Sequence, residues 1–502
     1  MQLDWVKTYS GTYSGGADGA RAVTLDDSGN VYVTGYSQTN SASFKCVTIK
    51  YNKVGDTMWI RHYQPSSNTQ GHDIKVDDSG SVYVSGRGII KYDRNGNLIW
   101  ESIDSTIYYK IILDSLGNIY GGGLYRSQLT AGKYAKNGNR VWRKVYSFAG
   151  SGGTDRFGDL VKDKFGNVAI TGRSKSNTTF YDYATIKYSN DGNLIWSRRY
   201  NGPSSYSDDG AYGVTSDLSG NIYVTGYSMD ITNSDNCLTL KYDSSGNILW
   251  IKRIQSSEHI ANIGYDMATD SSQNLFIAGR LDGGTATIKL DINGNIIWST
   301  LYPEGSIFTT NYPVIILDSA YNVYVTGTST ATGYADYAAL KYDSSGNQIY
   351  LVTYNYLTIG FDYVNDLALD KKGNIYLTGE FAYNGISGSY GTVKFSPIKT
   401  GIFGNNIVPD KFKLEQNYPN PFNPSTVISY SLRIYGFVSL KVYDALGKEV
   451  TTLVNQKQSP GTYEVEFNAR LHGQGSDLSS GVYYYKIESE NFSEVRKMIL
   501  LK

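Results

Sequence analysis

The 502-residue chain balances 46 Lys and Arg against 46 Asp and Glu, and neither sign gathers into a block. A nucleic-acid groove or an anionic membrane surface would require a basic patch, so neither is expected as a partner, and no run approaches the ~20 apolar residues of a transmembrane segment. Fifty-four glycines and 46 tyrosines suit tight hairpins joined to aromatic-rich strands, an all-β composition.

The first predicted strand, Leu3 to Tyr9, contains Trp5 and has no strand before it to pair with. From there to about Phe395 one phrase returns eight times. It consists of an aspartate, a Gly-Asn turn, a Val-Tyr-Val-Thr-Gly strand, a Lys-Tyr strand and a second Gly-Asn turn ending in tryptophan. The clearest copy runs from Val214 through Asp217, Gly220, Asn221, Tyr223 and Gly226 to Lys241, Tyr242, Asp243, Gly246, Asn247 and Trp250. Glycines equivalent to Gly226 are Gly35, Gly86, Gly123, Gly172, Gly279, Gly327 and Gly379, about 49 residues apart. Four strand-length pieces per copy with no helical pattern predict a β-propeller.

Each unit supplies four strands, roughly 211 to 217, 222 to 228, 237 to 243 and 248 to 254 in the fifth. Asp26, Asp77, Asp114, Asp163, Asp217, Asp270, Asp318 and Asp370 open the first turn of each unit, where an Asp side chain accepts backbone N–H groups of its own turn. Recurrence in every turn fits hairpin chemistry rather than calcium. Seven tryptophans take the fourth-strand position, with Tyr350 in the remaining slot, and are predicted to pack between neighbouring sheets. Trp5 lacks the strands before it and the last unit lacks a fourth strand, so Leu3 to Tyr9 is expected to complete the final sheet beside Tyr390 to Phe395. This bookkeeping counts eight blades; seven is the fallback if the third unit, with Gly121, Gly122 and Gly123 in place of Val-Thr-Gly, forms none. Cys46 and Cys237 occupy the same position in the first and fifth units, opposite one another in such a ring, and are predicted to be free thiols.

The repeat resembles the SBBP family of bacterial β-propeller repeats, a resemblance that covers residues 1–395. The family name implies seven blades, so eight departs from it.

Five of the ten prolines lie from Pro397 to Pro424, marking a linker at 396–412. Six short strands then follow without the repeat period, between Val427 and Leu501, and predict a small Ig-like β-sandwich over 413–502. Its opening, Leu414-Glu415-Gln416-Asn417-Tyr418-Pro419-Asn420-Pro421-Phe422-Asn423-Pro424, is similar to the start of a type A sorting domain of the bacterial type IX secretion system. The likeness continues through the turn at Gly447, the Ser480-Gly481-Val482-Tyr483 segment and the terminal run from Lys497. It implies a C-terminal address read by the outer-membrane translocon, with the cargo secreted or attached to the cell surface. Such proteins first cross the inner membrane behind a signal peptide. Met1 to Trp5 does not read as one, so a mature, truncated or misassigned start is expected.

Catalytic chemistry has little support: the four histidines show no metal-ligand spacing, and no nucleophile elbow, zinc-protease motif or phosphate loop occurs. Asp243 to Trp250 is similar to the tryptophan-docking motif of eight-bladed quinoprotein dehydrogenases but one residue shorter, and their adjacent cysteine pair is missing. Four residues before the turn aspartate, alternate units carry Asp73, Asp159, Asp266 and Asp366. These carboxylates either ring the central channel and attract calcium or magnesium, or bond backbone at the start of their own blades. The connections on one face are short and uniform, whereas those on the other vary and are rich in Tyr, Ser, Asn and Gly, including Tyr181, Tyr206, Tyr334, Tyr356 and Tyr383. Variable loops on a rigid scaffold are where recognition is usually placed. The expected function is an exported binding module for a glycan or protein, without a cofactor. The alternative is a secreted lyase or glycosidase working with paired carboxylates.

Overall fold

The computed structural model describes residues 1–501 except 67, 147–153, 176–179, 204–207, 231–233, 256–260, 303–311, 330–333, 357–359, 384–386, 398–411, 433–435, 459–460, 471–477 and 490–491. Two compact units result, Met1–Asn347 with Val352–Ile398, and Lys399–Lys502 with Gln348–Leu351. Every regular element among the described residues is a strand.

Among the described residues of the first unit, six antiparallel sheets have four strands and one has six. The six-stranded sheet holds the second and third repeats. Its Leu98–Leu113 strand pairs by its first half with Ile89 to Tyr92 and by its second half with Ile119–Tyr125, so one strand serves both repeats. The degenerate glycine run of the third repeat is thus a paired strand. Gln2–Tyr9 pairs with Ser387–Ser396, from Gln2 opposite Ser396 to Tyr9 opposite Tyr390, and closes the last sheet with the start of the chain. The inner strands of successive sheets touch in order, and those of the last and first repeats touch each other, Gly360–Leu369 against Asp18–Leu25.

The repeated residues form one network. Asp217 Oδ1 accepts the backbone N–H groups of Ser219 and Asn221, and Oδ2 accepts the Asn221 amide and the Tyr223 hydroxyl at 2.8 and 3.0 Å. The Lys241 ammonium lies 4.8 Å from the Tyr223 ring centre, 3.7 Å from Asp217, and donates to the Ile292 carbonyl of the next sheet. That same carbonyl accepts the Trp250 indole N–H at 3.0 Å. The turn holding Ile292 ends in Gly294 at φ 83°, whose added Cβ would stand 3.0 Å from the Trp250 ring. Aspartate, tyrosine, lysine, tryptophan and turn glycine therefore recur together because a repeat that carries tryptophan docks its indole onto the next repeat's turn. Trp59, Trp142 and Trp196 are buried, and both cysteines are buried and free.

The inner strands carry a second repeated device. Pairing with the second strand skips one residue at Arg21, Tyr109, Gly158, Tyr212, Tyr265 and Asn365, each a β-bulge. Such a bulge leaves its extra residue unpaired and re-aims it. It also drives a carbonyl toward the partner strand: a Cβ on Gly226 would stand 1.9 Å from the Gly210 oxygen. The glycine of Val-Thr-Gly is needed because the bulged strand already fills the space of a side chain.

In the second unit, sheets of three and four strands share one core that includes Phe422, Ile428, Tyr430, Leu440, Phe467, Tyr485 and Met498.

Candidate functional site

Residues spent on docking and turns are unavailable for recognition, so the site is sought where the repeats differ. The bulge position does differ: counting five back from each turn aspartate, it holds Arg21, His72, Tyr109, Gly158, Tyr212, Tyr265, Pro313 and Asn365. Six of them, Tyr109, Gly158, Tyr212, Tyr265, Pro313 and Asn365, border one space. There a cavity of about 570 Å³ is lined by Tyr109, Phe157, Tyr212, Tyr265 and Tyr312, with Arg156, Arg173, Lys110 and the carboxylates of Asp159, Asp266 and Asp366.

The aromatic wall is continuous. Tyr212 lies 5.1 Å from Tyr265 and 5.4 Å from Tyr312, and Tyr265 lies 4.8 Å from Tyr312. Across the mouth Tyr109 stacks on Phe157 at 5.9 Å. Arg173 donates to the Tyr227 hydroxyl and covers the Tyr181 ring.

The four alternate aspartates stitch the inner strands of successive repeats together in pairs. One oxygen of each accepts its own strand's amide, at Ile74, Leu160, Met267 and Leu367. The other accepts an amide of the next inner strand, at Ile111, Val214, Ile315 and Val23, 2.8 to 3.1 Å away. The Lys110 ammonium stands 2.5 Å from Asp159 and Lys75 stands 2.7 Å from Asp73, so cationic side chains occupy the space beside these carboxylates. Among the described residues, no group of three or more His, Cys, Asp or Glu is arranged to hold a metal ion.

The loop tyrosines are dispersed. Tyr181 shares its hydroxyl hydrogen bond with Thr154 beneath Arg173. Tyr334 packs on Phe361, whereas Tyr356 stacks on Phe381 at 4.7 Å. The backbone of Tyr383 pairs with Ser387 and Gly360. Tyr206 and most of the 396–412 linker lie outside the described residues.

Burial raises the Asp362 carboxyl to about 7 and the Asp366 carboxyl to about 6, against 3.8 for the free group. A folded-state pKa above the unfolded one means the native state binds the proton more tightly, so these groups add stability as pH falls from 7 toward 4. Asp291 is shifted down by the Asn295 amide and its turn N–H groups, and its contribution is lost only as pH falls below about 4. Calorimetry is therefore expected to find a higher Tm at pH 5.5 than at pH 8, with a decline below pH 4. A Tm that climbs steadily to pH 8 would contradict this account.

The residues expected to form the sorting signal hold the second unit together. Asn417 is buried, its backbone N–H donates to the Tyr485 hydroxyl, and its amide donates to the Pro419 carbonyl and Thr426. Phe422 is 2% exposed and exchanges backbone hydrogen bonds with Ile499 and Leu501, tying the opening of the unit to its last strand. Asn420 accepts from Ile499 N–H and the Pro424 carbonyl accepts from Ala469, so Pro419, Pro421, Asn423 and Pro424 lie in a bent segment between these anchors. Gly447 turns at φ 82°, Gly481 opens a strand, and the Tyr483 hydroxyl donates to Ser479. Lys497 is exposed while its carbonyl accepts from Gln416.

Residues 416–501 match the family described as the secretion system C-terminal sorting domain. The chain thus carries an export domain of type IX secretion. No helix among the described residues is long and apolar enough to cross a membrane. Over 389 residues the chain is 23% identical to an uncharacterized WD repeat-containing protein of Acanthamoeba polyphaga mimivirus, a match taking in 72% of this chain and 24% of that protein. The chain therefore spans about a quarter of that relative's length. Among solved structures, a protein from Lactobacillus plantarum aligns at 14% identity and TM-score 0.42, covering 64% of this chain and 95% of that one. A eukaryotic initiation factor aligns at 9% identity and TM-score 0.40, covering 66% and 78%.

Proposed function

We propose that the chain is an eight-bladed propeller of SBBP-type repeats that acts as a binding module, secreted or held at the bacterial cell surface, with its ligand site at the mouth of the central channel. The C-terminal domain engages the type IX translocon and delivers the propeller. The observation that carries this reading is the tyrosine-lined cavity built at the bulge positions, where a rigid framework aims non-repeating side chains at one space. Its volume falls in the range of about 300–1,000 Å³ typical of small-ligand sites. Tyrosine offers a flat apolar face with a polar edge and little rotamer entropy to lose, which suits a glycan or a protein segment.

The test is an array of glycans, envelope polysaccharides and peptides probed with the full chain, in calcium and in chelator. Saturable binding is expected, weakened about thirtyfold by Tyr265→Ala, the scale of an aromatic anchor. Binding lost in chelator would assign a cation to the aspartate ring. Shortening of an offered polysaccharide would replace this reading with a lyase or glycosidase, and a blank array would end it.

A further inference from the structure

Tyr109 has cavities on both sides. Beyond it, away from the tyrosine wall, lies a smaller one of about 280 Å³, lined by Arg21, Asn68, Gln70, His72, Arg87, Ile107 and Tyr109. The local fold makes room for it. In the second repeat the hairpin between the second and third strands is cut to Gly86-Arg87-Gly88 inside the continuous strand Val82–Tyr92, with Gly88 at φ 90°. On the same side, Leu98–Leu113 runs into the third repeat as one strand, so no separate loop intervenes. Arg87 is left exposed at the tip of the shortest connection on that face.

The side chains around it are rich in hydrogen-bond donors. Arg21 donates to His72 Nδ1 at 2.5 Å. Because a guanidinium only donates, this fixes the imidazole with its proton on Nε2, a further donor. Burial, assisted by the Arg21 charge, lowers the His72 pKa to about 3, so the ring stays neutral across the working range. Neither Arg21 nor Arg87 forms an ion pair with a carboxylate among the described residues. The Arg21 guanidinium lies 5.0 Å over the ring of Tyr36, whose hydroxyl donates to Glu380 at 2.7 Å. Asn68 and Gln70 add amides at the rim. Two guanidinium forks are the usual means of holding a carboxylate or a sulfate.

We infer that this pocket is an acid subsite and that the ligand of the channel mouth is an anionic oligosaccharide, with its acid group between Arg21 and Arg87 and a neighbouring ring on the tyrosine wall. The inference rests on the binding reading above and narrows it to a substrate class. A sugar is favoured over a peptide by what the channel lacks. A peptide adding as a strand needs free edge amides, and the inner-edge amides of Val23, Ile111, Val214 and Ile315 are taken by aspartates.

The experiment titrates the full chain with hexagalacturonate, its carboxyl-reduced neutral counterpart, a sulfated galactan hexasaccharide and a glutamate hexapeptide. At least about tenfold tighter binding of one acidic sugar over the neutral one is expected, as for loss of a charge-assisted pair, and the better of the two acids names the group. Arg87→Gln, whose side chain has no partner among the described contacts, should abolish that preference with the Tm unchanged. Equal binding of acidic and neutral sugars overturns the acid subsite but leaves the binding module standing. Preference for the peptide overturns the sugar assignment, and binding of none overturns both.

Discussion

Replacing Gly226 with alanine is expected to destabilise the repeat unit by about 3 kcal/mol, at the upper end for overpacking, and to weaken ligand binding with it. The added Cβ would stand 1.9 Å from the Gly210 carbonyl oxygen and 2.9 Å from the Ala211 Cα, both backbone atoms, so no side-chain rotation relieves the clash. Relief requires flattening the bulge between Ala211 and Gly213, and that bulge is what turns Tyr212 into the cavity. On the proposed function, stability and recognition are therefore coupled through one glycine. Denaturant titration would measure the first effect and near-ultraviolet circular dichroism the displacement of Tyr212 among its aromatic neighbours. A variant as stable as the parent would show that the bulge does not require the glycine.

The repeat was legible because the same physical problem is solved again in each unit. A turn carboxylate, the tyrosine and lysine above it and a docked indole must all be present for one sheet to hold the next, so their residues recur at fixed spacing. The exception is explained by the same rule. Tyr350 stands where tryptophan is expected, in the repeat preceding the last. The last sheet takes its fourth strand from Gln2–Tyr9 and so has no turn between its third and fourth strands to receive an indole. The shared strand Leu98–Leu113 was not legible, because a missing loop leaves no mark beyond two repeats spaced more closely than the others.

The cavity was less legible for the opposite reason. The tyrosines of the long variable loops include Tyr334 and Tyr356, which pack on separate rings, Phe361 and Phe381. The bulge position adds no length and does not repeat, so nothing draws the eye to Tyr212 or Tyr265. The available signal was contrast: one position in an otherwise regular strand changes from Arg to His to Tyr to Gly to Pro. The alternating aspartates were visible, but one residue's spacing does not reveal that Asp159 reaches the amide of Val214, 55 residues on. Alternation follows if one clasp serves two sheets. A pair of inner strands needs only one bridging carboxylate, and the facing residues Ala22, Lys110, Gly213 and Val314 need none.

Phe422→Ala should abolish delivery of the chain to the cell exterior while leaving the repeat unit folded. Phe422 is 2% exposed, meets Phe467 edge to face at 5.8 Å, and lies in the core shared by both sheets of the sorting domain. Truncating a buried phenylalanine costs about 3–5 kcal/mol. For a domain this small that is a large part of the stability available. Its backbone also bonds to Ile499 and Leu501, so loosening the ring frees the opening segment from the last strand and separates the two ends of the signal together. In a bacterium with a type IX translocon, the full chain behind a signal peptide is expected outside the cell, and both Phe422→Ala and a chain ending at residue 412 are expected to remain in the periplasm. Arg87→Gln, placed in the proposed ligand pocket, should be exported like the parent. If Phe422→Ala reaches the exterior in parental amounts, the translocon reads a linear segment rather than the folded joint of Asn417, Phe422 and the final strand.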